Sequence, residues 1–122
     1  MSTIKADTIV ASDGTSPVTL TKQSAAKAWV NFNGTGTVAI RNSLNHSSVT
    51  DNGTGNYSPN ITSAFSAADF CITDSANRWA GCGIVQCSSS SQVLLYTLDG
   101  NSGVGALTDS DTVGVSDHGD LA

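Results

Sequence analysis

Few side chains in this chain carry reactive chemistry: two histidines, His46 and His118, three cysteines, Cys71, Cys82 and Cys87, and ten carboxylates, all of them Asp. A serine nucleophile needs a histidine base and a carboxylate that orients it. Neither histidine lies near a glycine-x-serine-x-glycine turn, and nothing selects one Ser among so many. Asp69, Asp74, Asp99, Asp109 and Asp111 are candidates for a glycoside-cleaving pair. They fall mainly in turn-like stretches, where Asp already has a role in bonding to nearby backbone. No enzymatic activity is predicted.

Metal and phosphate chemistry fares no better. Asp109, Asp111, Asp117 and Asp120 form a C-terminal acidic cluster, but it lacks the ordered spacing and closing Glu of a calcium loop. A solvated acidic edge that discourages strand pairing is the expectation. Cys82 and Cys87 are too far apart in sequence for a zinc pair and have no His nearby, and an odd number of thiols implies no disulfide framework. They are expected to act as small buried apolar residues. The glycine-x-glycine turns at 34–36, 53–55 and 103–105 precede no Lys-Ser or Lys-Thr, so they are turns rather than phosphate cradles. No cofactor and no metal are predicted.

What remains is surface recognition. Trp29, Tyr57, Trp79 and Tyr96 are the amphipathic aromatics. The loops 88–91 and 99–105 are candidate contact segments, since binding surfaces often sit on loops held by a rigid scaffold. The candidate interaction residues are Trp29, Ser89, Ser90, Asn101 and Ser102. Sequons begin at Asn33, Asn45, Asn52, Asn56 and Asn60; in a chain so rich in Asn, Ser and Thr they follow from composition, and none is read as glycosylated.

The elements that must position these residues are strands. Charged residues make up 12% of the 122 positions, against about 25% in an average domain. Ser, Thr, Asn and Gly fill the deficit, which disfavours long helices and suits short strands with many turns. Residues 26–41 form the clearest unit, a β-hairpin in which Ala28, Val30 and Phe32 share one face, Trp29, Asn31 and Asn33 the other, and Val38 and Ile40 continue the apolar face on the return strand. The connection is expected to span two to four residues. Trp29, opposite in parity to Val30 and Phe32, is expected to be covered by a second β layer or a neighbouring subunit. Strands are further predicted near 48–50, 56–62, 70–73, 78–87 and 92–98, with Pro59 placing its strand at an edge or a bulge. Residues 74–77 read as a turn, 63–69 as a connector, and 92–98 as a strand buried on both faces. This pattern predicts an all-β fold: a small antiparallel β-sandwich or barrel-like domain over 25–122, preceded by an extended N-terminal arm over 1–24 for docking or assembly.

The balance of ten acidic against five scattered basic residues gives a net charge of −5, which argues against a nucleic-acid partner. No apolar run reaches the roughly 20 residues of a membrane-spanning helix, and the N-terminus lacks a signal-peptide core. The expectation is cytoplasmic synthesis without membrane insertion.

The segment KAWVNFNGTGTVAIRNSLNHSSVTDNGTGNYSPNIT, residues 27–62, closely resembles a module in structural proteins of tailed bacteriophages, especially tail-fibre-type proteins of marine and cyanobacterial phages. The opening MSTIKADTIVASDGTSPVTL and the closing DTVGVSDHGDLA are similar to the termini of such virion proteins, while the middle matches only by strand pattern. Residues 33–36 and 51–55 are its most specific parts. The chain departs from the pattern at Asp117 and His118, where an apolar residue would complete the alternation begun by Val113 and Val115, and the departure leaves burial of the last strand open.

The resemblance implies a non-enzymatic virion component, commonly homotrimeric, made in the host cytoplasm. Residues 1–24 would bind other virion proteins, and exposed loops would contact the host surface, including its glycans. Two alternatives stand beside it. One is a capsid decoration protein, a cement or head-fibre subunit that stabilises the shell; the other is a carbohydrate-binding module with Trp29 or Trp79 as stacking platform.

Overall fold

The structure, a computed structural model, describes residues 12–14, 25–76, 80–100 and 105–122. The arm expected over 1–24 lies almost wholly outside these residues, as do Trp79, Asn101 and Ser102. The described chain is all-β, with eight strands: β1 Ala28–Asn33, β2 Ala39–Leu44, β3 His46–Gly53, β4 Asn56–Ile61, β5 Cys71–Ala76, β6 Ala80–Ser89, β7 Gln92–Asp99 and β8 Val113–His118. They form two four-stranded antiparallel sheets, ordered β2-β1-β8-β5 and β3-β4-β7-β6. This is the predicted β-sandwich.

The inner faces meet as alternation requires. Ala28, Val30, Phe32, Val113 and Val115 from one sheet pack against Tyr57, Ile61, Val93 and Leu95 from the other, all buried. The Phe32 and Tyr57 rings meet edge to face with centroids 5.2 Å apart. At one end Phe65 and Phe70 stack at 4.2 Å and close the core beneath the connector 62–70.

The edge strands β2 and β3 are where the sequence signal was weakest. Both are largely exposed and polar, so no apolar alternation marks them. They form because β1 and β4 offer backbone partners in register. Between them stands a single residue, Asn45, at φ 57°, a conformation that Asn tolerates better than most side chains. Its amide donates to the carbonyls of Lys27 and Ser63 and its Oδ1 accepts from the Ser63 N–H at 2.7 Å, which fixes the corner between the sheets. The chain crosses between sheets at the opposite edge too, from β5 to β6.

Several expectations are corrected. The hairpin connection runs over 34–38, longer than two to four residues, and the return strand carries Arg41 as an extra residue opposite Asn31 and Phe32. The Arg41 guanidinium reaches the Phe32 carbonyl and the Thr112 hydroxyl at 3.3 and 3.2 Å. Pro59 is not at an edge: β4 lies between β3 and β7, and the ladder to β7 has no registered pair at Ser58 or Pro59, so the missing donor falls in an interruption. Residues 74–76 continue β5 instead of turning, because their backbone pairs with β8 as far as Val113. β7 is fully buried on one face only, its other face being half-buried. The shift of register in β6 between Cys82 and Ile84 agrees with the predicted glycine-marked bulge.

Most consequential is β8. Asp117 follows Val113 and Val115 inward and is fully buried, so the alternation continues with a carboxylate in the apolar position.

Candidate functional site

Antiparallel register decides which side chains share a surface. On the outward face of the β2-β1-β8-β5 sheet, Leu44, Trp29, Ser116 and Thr73 form one row across the strands, and Asn42, Asn31, Gly114 and Ser75 form the next. Gly114 stands in the second row with no side chain. The result is an open furrow of about 280 Å³ whose walls include Trp29, Asn31, Thr73, Ser75 and Ser116. A Cβ built on Gly114 would sit 2.8 Å from Ser75 Oγ and 4.0 Å from Asn31 Nδ2, so both polar groups lean over the floor.

Trp29 is half-buried in this wall, beside Leu44, which is 49% exposed. The facing sheet covers Ala28, Val30 and Phe32 on the other side of β1. No β layer of the described chain therefore covers the indole, contrary to the first of the two covers expected for it.

The two outward faces of the sandwich differ in how their polar groups are used. On the β3-β4-β7-β6 sheet, Asn60 donates to the hydroxyls of Ser48 and Thr50 and accepts from Gln92 at 2.8 Å, and Asn52 donates to Ser58 at 2.8 Å. Those groups saturate one another. On the furrow face, the side chains of Asn31, Thr73 and Ser75 have no hydrogen-bond partner among the described residues and are left to solvent.

The histidines divide between interior and surface. His46 Nε2 lies 2.8 Å from Asp117 Oδ2, with both side chains closed to solvent. A base–carboxylate pair has the parts for catalysis, but here no substrate can reach it. It ties β3 to β8 through the core, leaving His46 Nδ1 and Asp117 Oδ1 without partners. His118, on the furrow face, is 3.2 Å from Ser116 Oγ. No carboxylate among the described residues orients its other ring nitrogen, so the arrangement that activates a serine is incomplete.

The acidic cluster is also dispersed. Asp117 is in the core and so is no part of a solvated edge, while Asp109 is exposed and its Oδ1 accepts from the Gly55 N–H at 2.7 Å and the Tyr57 hydroxyl at 2.9 Å. Burial, reinforced by the hydrogen bond to Asp109, holds the Tyr57 phenol far above its ordinary pKa. Gly55 takes φ 63° and leaves no room for a side chain, since its Cβ would lie 2.6 Å from the Thr97 carbonyl oxygen. No group of three or more His, Cys or Asp side chains among the described residues is placed to share a metal ion. Cys71 is exposed; Cys87 is half-buried, donates to the Phe70 carbonyl at 3.2 Å, and has its pKa raised by burial first and by Asp117 next.

The predicted contact residues that are described, Trp29, Ser89 and Ser90, do not share one surface. Ser89 and Ser90 lie where β6 turns into β7, at the end of the sandwich that also holds Lys27, Asn45 and residues 119–122. Asn101 and Ser102 lie outside the described residues; residues 105–112, which lead into β8, lie at the opposite end with the turns 34–38 and 53–56. Trp29 belongs to neither loop but to the sheet face. No sequence signal singled out Gly114, Thr73 or Ser75, because their proximity depends on a pairing between strands about 40 residues apart in the chain.

Fold and site together define a small antiparallel β-sandwich domain with an open furrow on one face. No protein-family model, curated protein or solved structure matches the chain.

Proposed function

We propose that this chain is a non-enzymatic structural protein of a bacteriophage virion, tail-fibre-like and displayed on the particle surface, with residues 1–24 as its docking arm. The reading starts from the resemblance of residues 27–62 to phage tail-fibre modules. One structural observation supports it. Both ends of the sandwich domain leave from the same side: the Lys27 N–H donates to the Asp117 carbonyl at 2.9 Å, and the Ala122 N–H donates to the Ala64 carbonyl at 3.0 Å. A domain held through an arm at that side presents its other end, with the turns 34–38 and 53–56 and residues 105–112, away from the anchor. In this arrangement residues 105–112 take the role of outward contact, and the loop at Ser89 and Ser90 sits beside the attachment.

Assembly is proposed to be homotrimeric. Native mass measurement of the full chain, with immunogold labelling of particles, tests both parts. A trimer and labelled tails are expected. A dilute monomer with unlabelled particles would overturn the reading, and label on heads would replace it with capsid decoration.

A further inference from the structure

We propose that the furrow over Gly114 is a binding site for a neutral saccharide, with the Trp29 indole as its platform and Asn31, Thr73 and Ser75 as its hydrogen-bonding rim. The site does not rest on the virion assignment, which decides only where a saccharide would be met.

Gly114 is the second residue of β8, a strand paired on both sides, by β1 and by β5. Glycine weakens a strand interior, and there it often marks a place where a ligand approaches the backbone closely. Its φ is not among those in the left-handed region, so the backbone conformation does not demand glycine. What the missing side chain provides is the floor of the furrow.

A half-buried indole beside an open floor offers a flat apolar surface against which the C–H face of a pyranose can pack, and packing there withdraws the remaining indole surface from water. The Asn31 amide and the Thr73 and Ser75 hydroxyls exchange bonds with solvent and not with each other, so a ligand's hydroxyl groups can replace that water at little cost. The opposite face, whose amides and hydroxyls are already paired, lacks this property.

The charge pattern narrows the ligand class. Trp29, Asn31, Thr73, Ser75 and Ser116 are all uncharged; Asp74 also lines the furrow, but it has the opposite parity to Thr73 and Ser75 on β5 and its Oδ2 is buried. An anionic or cationic ligand would find no counter-charge. A peptide adding as an extra strand is excluded from this floor because β1 and β8 are interior strands whose backbone groups are already paired. A ligand with one apolar face and a hydroxylated perimeter fits all three conditions. A volume of about 280 Å³ has room for one sugar ring, with neighbouring rings over the open sides.

The test uses the full chain in a Trp79→Phe background, which leaves Trp29 as the sole indole. Its fluorescence is titrated with hexasaccharides of glucose, galactose, mannose and N-acetylglucosamine, and calorimetry is run in parallel. A saturable response to at least one is expected. By calorimetry, Trp29→Ala and Gly114→Thr should each weaken it by about tenfold or more, while Trp29→Tyr stays within about threefold. Should Gly114→Thr fail to fold, Asn31→Ala and Thr73→Ala, at solvent-facing positions, serve instead. The proposal is overturned by silence across all four sugars, by affinity unchanged in the furrow variants, or by equal binding of a sialylated hexasaccharide. A concentration-dependent shift of Trp29 emission without sugar, accompanied by a rise in mass, would assign the furrow to a second copy and overturn it as well.

Discussion

His46 and Asp117 meet at 2.8 Å between Nε2 and Oδ2 across the interior of the sandwich, with no solvent access to either side chain. Among the described residues each side chain is the other's one polar counterpart, since His46 Nδ1 and Asp117 Oδ1 find no partner there. Removing one member strands the other in an apolar core. His46→Ala or Asp117→Ala should each destabilise the domain by about 3–5 kcal/mol, whereas the double variant His46→Leu with Asp117→Val should recover most of that loss. Urea unfolding of the three variants measures it; a double variant as unstable as the sum of the singles would refute the account.

Tyr57 joins the two sheets at the other end of the core, reaching the Gly34 carbonyl and Asp109 at 2.9 Å each. Tyr57→Phe should cost about 1–3 kcal/mol, as it removes the one O–H that the Gly34 carbonyl and Asp109 share, while Asp109 Oδ1 keeps the Gly55 N–H. The sign of the pH dependence follows from the raised phenol. Below the ordinary value of 10.0 the phenol is protonated in both states and its contribution is complete; above it the unfolded chain loses the proton first, so stability falls. Denaturation midpoints measured between pH 8 and 11 should decline less steeply in Tyr57→Phe than in the parent.

Gly55 and Gly36 share a left-handed backbone, at φ 63° and 64°, but not the same surroundings. A Cβ at Gly55 meets the Thr97 carbonyl oxygen at 2.6 Å and the Thr108 nitrogen at 2.7 Å, whereas one at Gly36 meets nothing within 4 Å. Gly36→Ala should therefore cost only the conformational penalty of about 1–2 kcal/mol, and Gly55→Ala that penalty with a steric clash added. Thermal unfolding that ranks the two equally would show that the packing around Gly55 yields freely.

The two thiols with described surroundings should differ in reactivity. Cys71 is exposed, while Cys87 donates its S–H to Phe70 and has its ionisation suppressed by burial. Pulsed alkylation followed by mass analysis should label Cys71 well before Cys87. Simultaneous labelling under native conditions would contradict this.

The hairpin of residues 26–41 and the paired Val113 and Val115 declared themselves through alternation, because burial of one sheet face imposes a period of two on any strand that has a core to face, and the run 92–98 declared itself through its continuous apolar character. That was enough for an all-β sandwich. β2 and β3 were harder to see, since an edge strand draws its stability from a partner's backbone and leaves no apolar period in its own residues. Asp117 was misread for a related reason: a carboxylate looks solvated unless its buried partner is known, and His46 is 71 residues away in sequence. The furrow was least legible of all. Trp29 is conspicuous in the sequence, but Gly114, Thr73 and Ser75 become its neighbours only when β1, β8 and β5 lie side by side in one register. Local composition and periodicity thus determined that the chain forms strands and which residues of the strongest ones face inward. Only the tertiary structure decided which strands are neighbours, and therefore which side chains share a surface, because strand pairing is fixed by long-range backbone hydrogen bonds that no short stretch of sequence encodes.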